Sequence, residues 1–304
     1  MSIHTVKRNS ILADLGLLYA AAIWGATFFI VKSTLDDIDP VVLVGYRFLI
    51  AGLGLLVYVW LSGRRLIADL KQAIVLGVLL WILYIPQTMG LQYTTASNSG
   101  FITGLFVAFV PVFLLTIFRR RPTVPELIAS LLSLVGLWVL TGGLVDINIG
   151  DMLTVITAMA YALHLLYADK YMKGGIDPFV SACQQFIIVG VLSLLTGLLF
   201  DLPFGIASHR TMSMVIFLAV FPTLSAFVIQ MVAQKIAKPL RVSLIFALEP
   251  VFAAMFAWTL GGEIFVLRRA IGGLLIFAAL VVSGMRPPGV ARAGKSRSNQ
   301  DRRS

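Results

Sequence analysis

The sequence predicts an all-α integral membrane protein whose ten transmembrane helices form two inverted five-helix repeats. Three observations support this fold class: the composition, ten apolar stretches, and a charge pattern that reverses between the two halves. Of the 304 residues, 59% are hydrophobic and 12% are charged, and the mean hydropathy is +0.95. So little polar surface is typical of membrane proteins and excludes a soluble globular domain.

Ten apolar stretches of about 17 to 24 residues occur along the chain, each long enough to cross a hydrocarbon core of about 30 Å. The first follows a basic start that resembles a secretory signal, but its apolar run is too long for a cleaved one. We therefore expect it to be the first transmembrane helix. The predicted spans are 11–32, 41–61, 72–93, 97–118, 125–142, 150–169, 179–200, 212–234, 240–260 and 266–285.

Lysine and arginine are concentrated in alternate loops. One set of loops, together with the C-terminal tail 286–304, holds 19 of the 24 basic residues. The positive-inside rule places this set in the cytoplasm, so both termini are expected there, in a bacterial inner membrane. The net charge of +10 then indicates contact with anionic lipid rather than nucleic acid. The tail is expected to be basic and disordered.

Two short motifs recur about 138 residues apart. Ile38-Asp39-Pro40 returns as Ile176-Asp177-Pro178, and Pro111-Val112-Phe113 returns as Pro250-Val251-Phe252. These matches divide the chain into repeats at 1–143 and 149–285. Because each repeat holds an odd number of spans, the second must enter the membrane from the opposite side. Inverted repeats are typical of transporters with a site at the membrane midplane.

Glu249 lies within the ninth span and is followed by Pro250. A charge at the bilayer centre costs at least about 2.5 kcal/mol, so this carboxylate is expected to face a cavity or a partner. It is the best candidate for proton coupling or for recognition of a substrate amine. The alternative is a permanent structural partner such as Arg47, which could also reach toward the outer interface. Pro111 and Pro250 are the expected hinges of the two halves.

Further polar and aromatic residues within the spans are candidates for the wall of a solute cavity, although packing between helices explains many of them equally well. His164 is also a candidate proton carrier. The helix that starts near Asn98 can either be capped by its own polar residues or turn its positive end toward a substrate carboxylate. The candidates for substrate binding or coupling are Trp24, Trp81, Tyr84, Gln87, Asn98, Tyr161, His164, Gln230 and Glu249.

Several motifs together resemble the EamA-type ten-helix transporters of the drug/metabolite transporter superfamily. The motifs are Ile23-Trp-Gly-Ala-Thr-Phe28, Asp39-Pro40 with Arg47-Phe48, the segment 90–104 leading to Pro111, and Leu248-Glu-Pro-Val251 with Gly262-Glu263 and Gly272-Gly273. The resemblance covers residues 11 to about 285. It implies two five-helix repeats around a central cavity, and export of amino acids, other small metabolites or drugs.

No motif for ATP hydrolysis or hydrolytic catalysis is present, so no cofactor, no metal and no enzymatic activity are expected, and coupling would be to an ion gradient such as protons. The main alternative is a membrane-embedded enzyme acting on a lipid-linked substrate, with Asp36, Asp37 and Asp39 holding a metal. The glycines Gly262, Gly272 and Gly273 predict either a close helix contact within the chain or a homodimer face.

Overall fold

The computed structural model describes residues 3–143, 147–259 and 264–283, and within these residues all regular structure is helical. A π-helical segment, Ala219–Ser225, joins α9 to α10. The α-helices are α1 (Ile3–Lys32), α2 (Pro40–Leu61), α3 (Leu70–Tyr93), α4 (Ala96–Gly104), α5 (Phe106–Thr116), α6 (Val124–Thr141), α7 (Ile149–Lys173), α8 (Pro178–Leu199), α9 (His209–Leu218), α10 (Ala226–Gln234), α11 (Pro239–Phe246), α12 (Glu249–Thr259) and α13 (Leu267–Ser283).

Ten membrane spans arise from these helices. Nine stretches of the described residues are at least 18 residues long and apolar enough to cross a membrane, and α13 adds a tenth of 17 residues. Two spans are interrupted, α4 from α5 at Leu105 and α11 from α12 at residues 247–248, and a third, α9 with α10, is continuous but distorted by the π-helical segment. The fold is therefore the all-α, ten-helix arrangement of two inverted five-helix repeats that the sequence predicts.

The repeated Ile-Asp-Pro motif starts an equivalent helix in each half. Asp39 Oδ1 accepts hydrogen bonds from the backbone N–H groups of Val41 and Val42, at 2.8 and 3.3 Å. Asp177 Oδ1 does the same for the second and third residues after it, at 2.9 and 3.2 Å. The proline that follows each aspartate lies at the first helical position, where no donor is needed. The motif is thus a helix start that the two repeats share.

Helices from the two halves pack in pairs, most extensively α2 with α8, α3 with α7 and α6 with α13. The α6–α13 pair meets at two glycines: a Cβ added to Gly136 would lie 2.8 Å from the backbone oxygen of Gly272. This contact explains Gly272 as a close approach within the chain, which was one of its two predicted roles. Gly262 and Glu263 lie outside the described residues, as does the tail.

We call the end of the helix bundle with most of the lysines and arginines the basic end. Among the residues that the structure describes, four ion pairs there connect the first half of the chain to the second. Arg241 contacts Asp14 through two hydrogen bonds, of 3.0 Å from Nε and 2.7 Å from Nη2. The other three pairs are Arg64–Asp177, Arg120–Asp169 at 3.6 Å and Lys238–Glu126 at 3.5 Å.

At the opposite end the loop before α2 is tied to the start of α9. Asp37 Oδ2 accepts hydrogen bonds from the hydroxyls of Thr211 and Ser208, at 2.5 and 2.9 Å. The Thr211 bond, followed by the Ser208 bond, lowers the pKa of Asp37 below its ordinary value. Because Asp39 caps α2, two of the three aspartates in this acidic run hold loop structure.

Candidate functional site

A cavity lies near the middle of the bundle, between α1, α3, α4, α7, α10 and α12. Five predicted site residues line it: Trp24, Tyr84, Gln87, Tyr161 and Glu249. About 30 Å³ of it is available to water, which is room for roughly one or two water molecules. A metabolite therefore requires the surrounding helices to move apart.

Glu249 is placed by the break in the ninth span. α11 ends at Phe246 and α12 begins at Glu249, where Pro250 takes a first-turn position that needs no donor. Backbone hydrogen bonds continue on both sides of this junction, from Leu248 N–H to Ile245 and from Phe252 N–H to Leu248, at 3.1 and 2.9 Å. The Glu249 side chain is 5% exposed, and Oε1 accepts a hydrogen bond of 3.1 Å from the Tyr161 hydroxyl.

Gly25 allows α1 to approach this break closely. A Cβ at Gly25 would lie 2.5 Å from the backbone oxygen of Glu249 and 3.1 Å from the backbone nitrogen of Ala253. Neither backbone atom can move aside without shifting α12. The Trp24-Gly25 motif therefore combines an aromatic wall residue with the close contact that holds Glu249 against α1.

Aromatic side chains close the cavity toward the basic end. Trp24 lies 5.0 Å from the ring of Phe227 and 4.8 Å from that of Phe246, and Phe106 stacks on Tyr161 at 4.3 Å. We call these five residues the aromatic floor. α1 begins at the basic end and the fourth span ends there. Trp24 therefore lies nearer the basic end than Thr27, and Phe106 lies nearer to it than Thr103.

Arg47 does not reach the outer interface, and the structure corrects that expectation. The side chain is 3% exposed, Nε donates to Thr223 Oγ1 at 2.5 Å, and the guanidinium lies 4.8 Å from the centre of the Tyr84 ring. The Thr223 hydroxyl in turn donates to the backbone oxygen of Leu218 at 2.7 Å. Pro222, four residues after Leu218, has no N–H to donate, and the π-helical segment that begins at Ala219 bypasses it with bonds to the fifth residue. Arg47 thus supports the distorted eighth span instead of pairing with Glu249.

Four predicted site residues line no part of this cavity. His164 and Gln230 are fully buried toward the basic end, where His164 Nε2 shares a hydrogen bond of 2.8 Å with Gln185 Oε1. Asn98 lies in the first turn of α4, where its backbone N–H donates to Thr95 Oγ1 at 3.1 Å. Trp81 is partly buried against the core. Their role in another conformation stays a prediction.

The two predicted hinge prolines occupy different local structures. Pro250 follows the break between α11 and α12, whereas Pro111 lies inside α5, six residues after the break at Leu105. A third proline, Pro222, lies inside the π-helical segment. Hinge motion at Pro111 and Pro250 stays a prediction.

Five lining residues were not among the predicted site residues: Thr27, Phe28, Leu83, Thr103 and Phe227. Thr27 lies three residues after Trp24 and so shares its helix face, a spacing visible in the sequence. Thr103 accepts a hydrogen bond of 3.0 Å from Gln87 Nε2. Leu83 and Phe227 carry no polar group, so their sequence pattern does not distinguish a cavity wall from core packing.

Ten spans in two inverted repeats, with broken helices around a buried carboxylate, form the architecture of a membrane transporter. Comparison with known proteins agrees. The chain belongs to the EamA-like transporter family, whose profile matches residues 11–142 and 148–285.

Individual relatives cover almost the whole chain. An "Uncharacterized transporter" of Archaeoglobus fulgidus is 31% identical over 92% of this chain and 88% of its own length. The "Uncharacterized inner membrane transporter YedA" of Escherichia coli K12 is 25% identical over 91% of this chain and 93% of its own. A solved crystal structure with 16% identity superimposes with a TM-score of 0.76, covering 93% of this chain and 98% of the other. That structure shows the same fold.

Proposed function

We propose that this protein is a secondary transporter that exports a small amphipathic solute by alternating access, with Glu249 as the group that couples transport to protons. The observation that carries the proposal is the carboxylate of Glu249, buried mid-span in a cavity and bonded to the neutral hydroxyl of Tyr161 rather than to a cation. An ionisable group at this depth is costly to bury, and such groups in membrane spans mark solute pathways and proton relays.

The closure of the cavity at one end supports alternating access. The aromatic floor lies between the cavity and the basic end, and beyond it Asp14 on α1 pairs with Arg241 on α11. Both residues flank the route that a solute would take from Glu249 to that surface. Opening the route requires the residues of the aromatic floor to move apart and the ion pair to break. At the opposite end of the bundle, hydrogen bonds from Ser208 and Thr211 to Asp37 join the loop before α2 to the start of α9.

The charge distribution supports an orientation. We assign the basic end to the cytoplasm of a bacterial inner membrane, with both termini on that side, because most loop lysines and arginines lie there. The structure then corresponds to a state closed toward the cytoplasm. The domain boundaries that go with this proposal are repeats at 1–143 and 149–285, each contributing helices to the cavity.

No observation favours the enzyme alternative. Asp39 caps α2 and Asp37 accepts hydrogen bonds from the start of α9, so neither is free to hold a metal beside the cavity. Within the described ranges, no group of three or more histidine, cysteine, aspartate or glutamate residues is placed to bind a metal ion. The family and the names of the relatives point to a transporter.

The test is transport by the purified protein in liposomes. Vesicles loaded with a panel of radiolabelled amino acids, amines and drug-like cations would be diluted into buffer with and without an inward proton gradient. We expect at least one solute to leave faster than from protein-free vesicles, and the gradient to accelerate its exit. Absence of protein-dependent movement across the panel under any gradient would refute the proposal.

Glu249→Gln tests the coupling role within the same assay. It keeps the shape of the side chain but cannot release a proton, so transport should lose its dependence on the gradient. Asp201→Asn is a matched control, because Asp201 is an exposed loop carboxylate with φ of 52°, a conformation that asparagine also tolerates. The control should transport as the wild type does, and unchanged coupling in Glu249→Gln would remove the carboxylate from the mechanism.

A further inference from the structure

The charge of the cavity wall restricts which solute it can hold. Among the described residues that line the cavity, Glu249 is the only aspartate or glutamate, and none is lysine, arginine or histidine. This wall therefore offers a solute one carboxylate and no positive side chain. A cationic group is attracted to such a site and an anionic group is repelled.

Three hydrogen-bond donors of the cavity wall already have acceptors. Trp24 Nε1 donates to the backbone oxygen of Pro222 at 2.6 Å, and Gln87 Nε2 donates to Thr103 Oγ1 at 3.0 Å. The Tyr161 hydroxyl donates to Glu249 itself. A solute carboxylate that bonded to any of these three groups would displace its present acceptor, and an unsatisfied buried polar group costs about 1–3 kcal/mol.

The buried cation Arg47 lies behind the Tyr84 side chain and does not line the cavity. Arg47 uses Nε on Thr223 Oγ1, its Nη2 lies 3.4 Å from the Tyr84 hydroxyl, and the Tyr84 ring covers its face at 4.8 Å. Because Tyr84 lines the cavity and Arg47 does not, the ring separates the guanidinium from a bound solute. Arg47 is therefore not available to a solute carboxylate in this arrangement.

A second cation, Lys32 at the end of α1, also has hydrogen-bond acceptors within the protein. Its Nζ donates to the backbone oxygens of Leu91 and Thr94, the latter at 3.0 Å. Asp151, a carboxylate, accepts a hydrogen bond of 2.6 Å from the Thr94 hydroxyl beside it. The start of α4 thus adjoins a lysine and a carboxylate together, so its surroundings do not favour the alternative that this helix end receives a substrate carboxylate.

Aromatic rings complete a wall suited to a cation. Trp24, Phe28, Tyr84, Tyr161 and Phe227 all line the cavity with Glu249. Aromatic faces attract ammonium groups, and the attraction strengthens when water is excluded. One carboxylate among five aromatic rings is a combination that binds an amphipathic ammonium ion.

We infer that the cavity recognises small organic cations, amines or quaternary ammonium ions with an apolar or aromatic body and no carboxylate, in preference to zwitterionic amino acids. This inference rests on the proposed transport function, because it assigns a substrate class to the same cavity. The resemblance to the family allows amino acids, other small metabolites and drugs as solutes, and the inference selects organic cations among them.

Ligands that differ only in the carboxylate test the inference directly. Radiolabelled phenylethylamine, phenylalaninamide and phenylalanine share one ring and one ammonium group, and would be measured for equilibrium binding to the purified wild-type protein. We expect phenylethylamine and the amide to bind at least about tenfold more tightly than phenylalanine. Because the comparison uses only wild-type protein, it does not depend on any variant folding.

Two variants connect the preference to the cavity. Glu249→Gln should reduce phenylethylamine binding at least about tenfold, and Asp201→Asn should leave it unchanged. Should Glu249→Gln fail to fold, Trp24→Leu removes one aromatic face and should weaken binding of phenyltrimethylammonium more than that of neutral phenylethanol. Equal loss for the two ligands would count against the cation site.

The outcomes separate this inference from the proposed function. Phenylalanine bound as tightly as phenylethylamine, or absence of binding by both amines, would overturn the cation inference. Transport of another solute from the panel would then leave the proposed function standing. Failure of all solutes to move in liposomes would refute the transport function, whatever binds in detergent.

Discussion

Removing the ion pair between Asp14 and Arg241 should open the cavity toward the basic end. Arg241→Gln removes the guanidinium and leaves a shorter, neutral polar side chain. The two hydrogen bonds of the pair, at 3.0 and 2.7 Å, join α1 to α11 across the route between the aromatic floor and the surface. If that route opens during transport, the pair exists only in the closed state.

The size of the effect follows from the burial of the two side chains. Arg241 is 35% exposed and Asp14 is 21% exposed, so solvent screens the pair only in part. Hydrogen bonds to charged groups contribute about 1.5–3 kcal/mol, and exposed ion pairs contribute about 0–1 kcal/mol. An intermediate value of about 1–2 kcal/mol raises the ratio of open to closed protein roughly 5- to 30-fold.

Accessibility of a cysteine placed along the route measures this ratio. Leu17 is fully buried and lies on the same face of α1 as Asp14 and Trp24, between the ion pair and the floor. In a Cys183→Ala background, Leu17→Cys should react slowly with a membrane-impermeant maleimide. Adding Arg241→Gln should accelerate labelling by the same 5- to 30-fold, from the cytoplasmic side only.

Lys238→Gln is the matched control. Lys238 pairs with Glu126 at 3.5 Å and is 75% exposed, so its removal should change labelling less than about twofold. Equal labelling with and without Arg241→Gln would refute the reasoning that this pair holds the cytoplasmic side closed. Faster labelling from the periplasmic side would refute the assigned orientation.

Three further substitutions test the surroundings of the cavity. Gly25→Ala should lower the free energy of unfolding by about 1–3 kcal/mol and weaken solute binding, because the added Cβ meets the backbone at Glu249. Gly54→Ala is the matched control and should be tolerated, because its Cβ meets only a flexible side chain at 3.4 Å. Thr223→Val should cost about 1–3 kcal/mol, measured by thermal unfolding, because the buried Arg47 guanidinium loses a partner. Thr196→Val removes only a bond to the preceding turn and should cost under about 1 kcal/mol. His164→Gln should leave the pH dependence of transport unchanged. If transport by this variant no longer depended on pH, the coupling proton would belong to His164 instead of Glu249.

The spans and the repeat were readable from the sequence because a membrane imposes long apolar helices and charged loops. The repeated aspartate-proline motif could be assigned to equivalent positions because the start of a helix has a strong local sequence signal. The break at Leu105 and the distortion at the π-helical segment were not predicted. They depend on contacts between distant helices, such as Arg47 with Thr223, that composition does not encode.

The cavity was predictable only in part. Tyr84 and Glu249 were recognisable because a tyrosine or a carboxylate in mid-span needs a partner or water. His164 carries the same signal, yet its partner is Gln185 and it lies outside the cavity. Phe227 contributes to the wall through shape alone. Polarity in a span therefore identifies residues that require a partner, while helix packing decides whether that partner is a side chain or a cavity.

In the proposed mechanism, Glu249 exchanges a proton for solute within the cavity. The most direct test of this exchange is proton flux, recorded with a pH-sensitive dye trapped in liposomes while a solute transported in the panel is allowed to leave. We predict that wild-type protein admits protons in a fixed ratio to solute exit, and that Glu249→Gln abolishes this proton entry. Proton entry that persists in Glu249→Gln at the wild-type ratio would contradict the account.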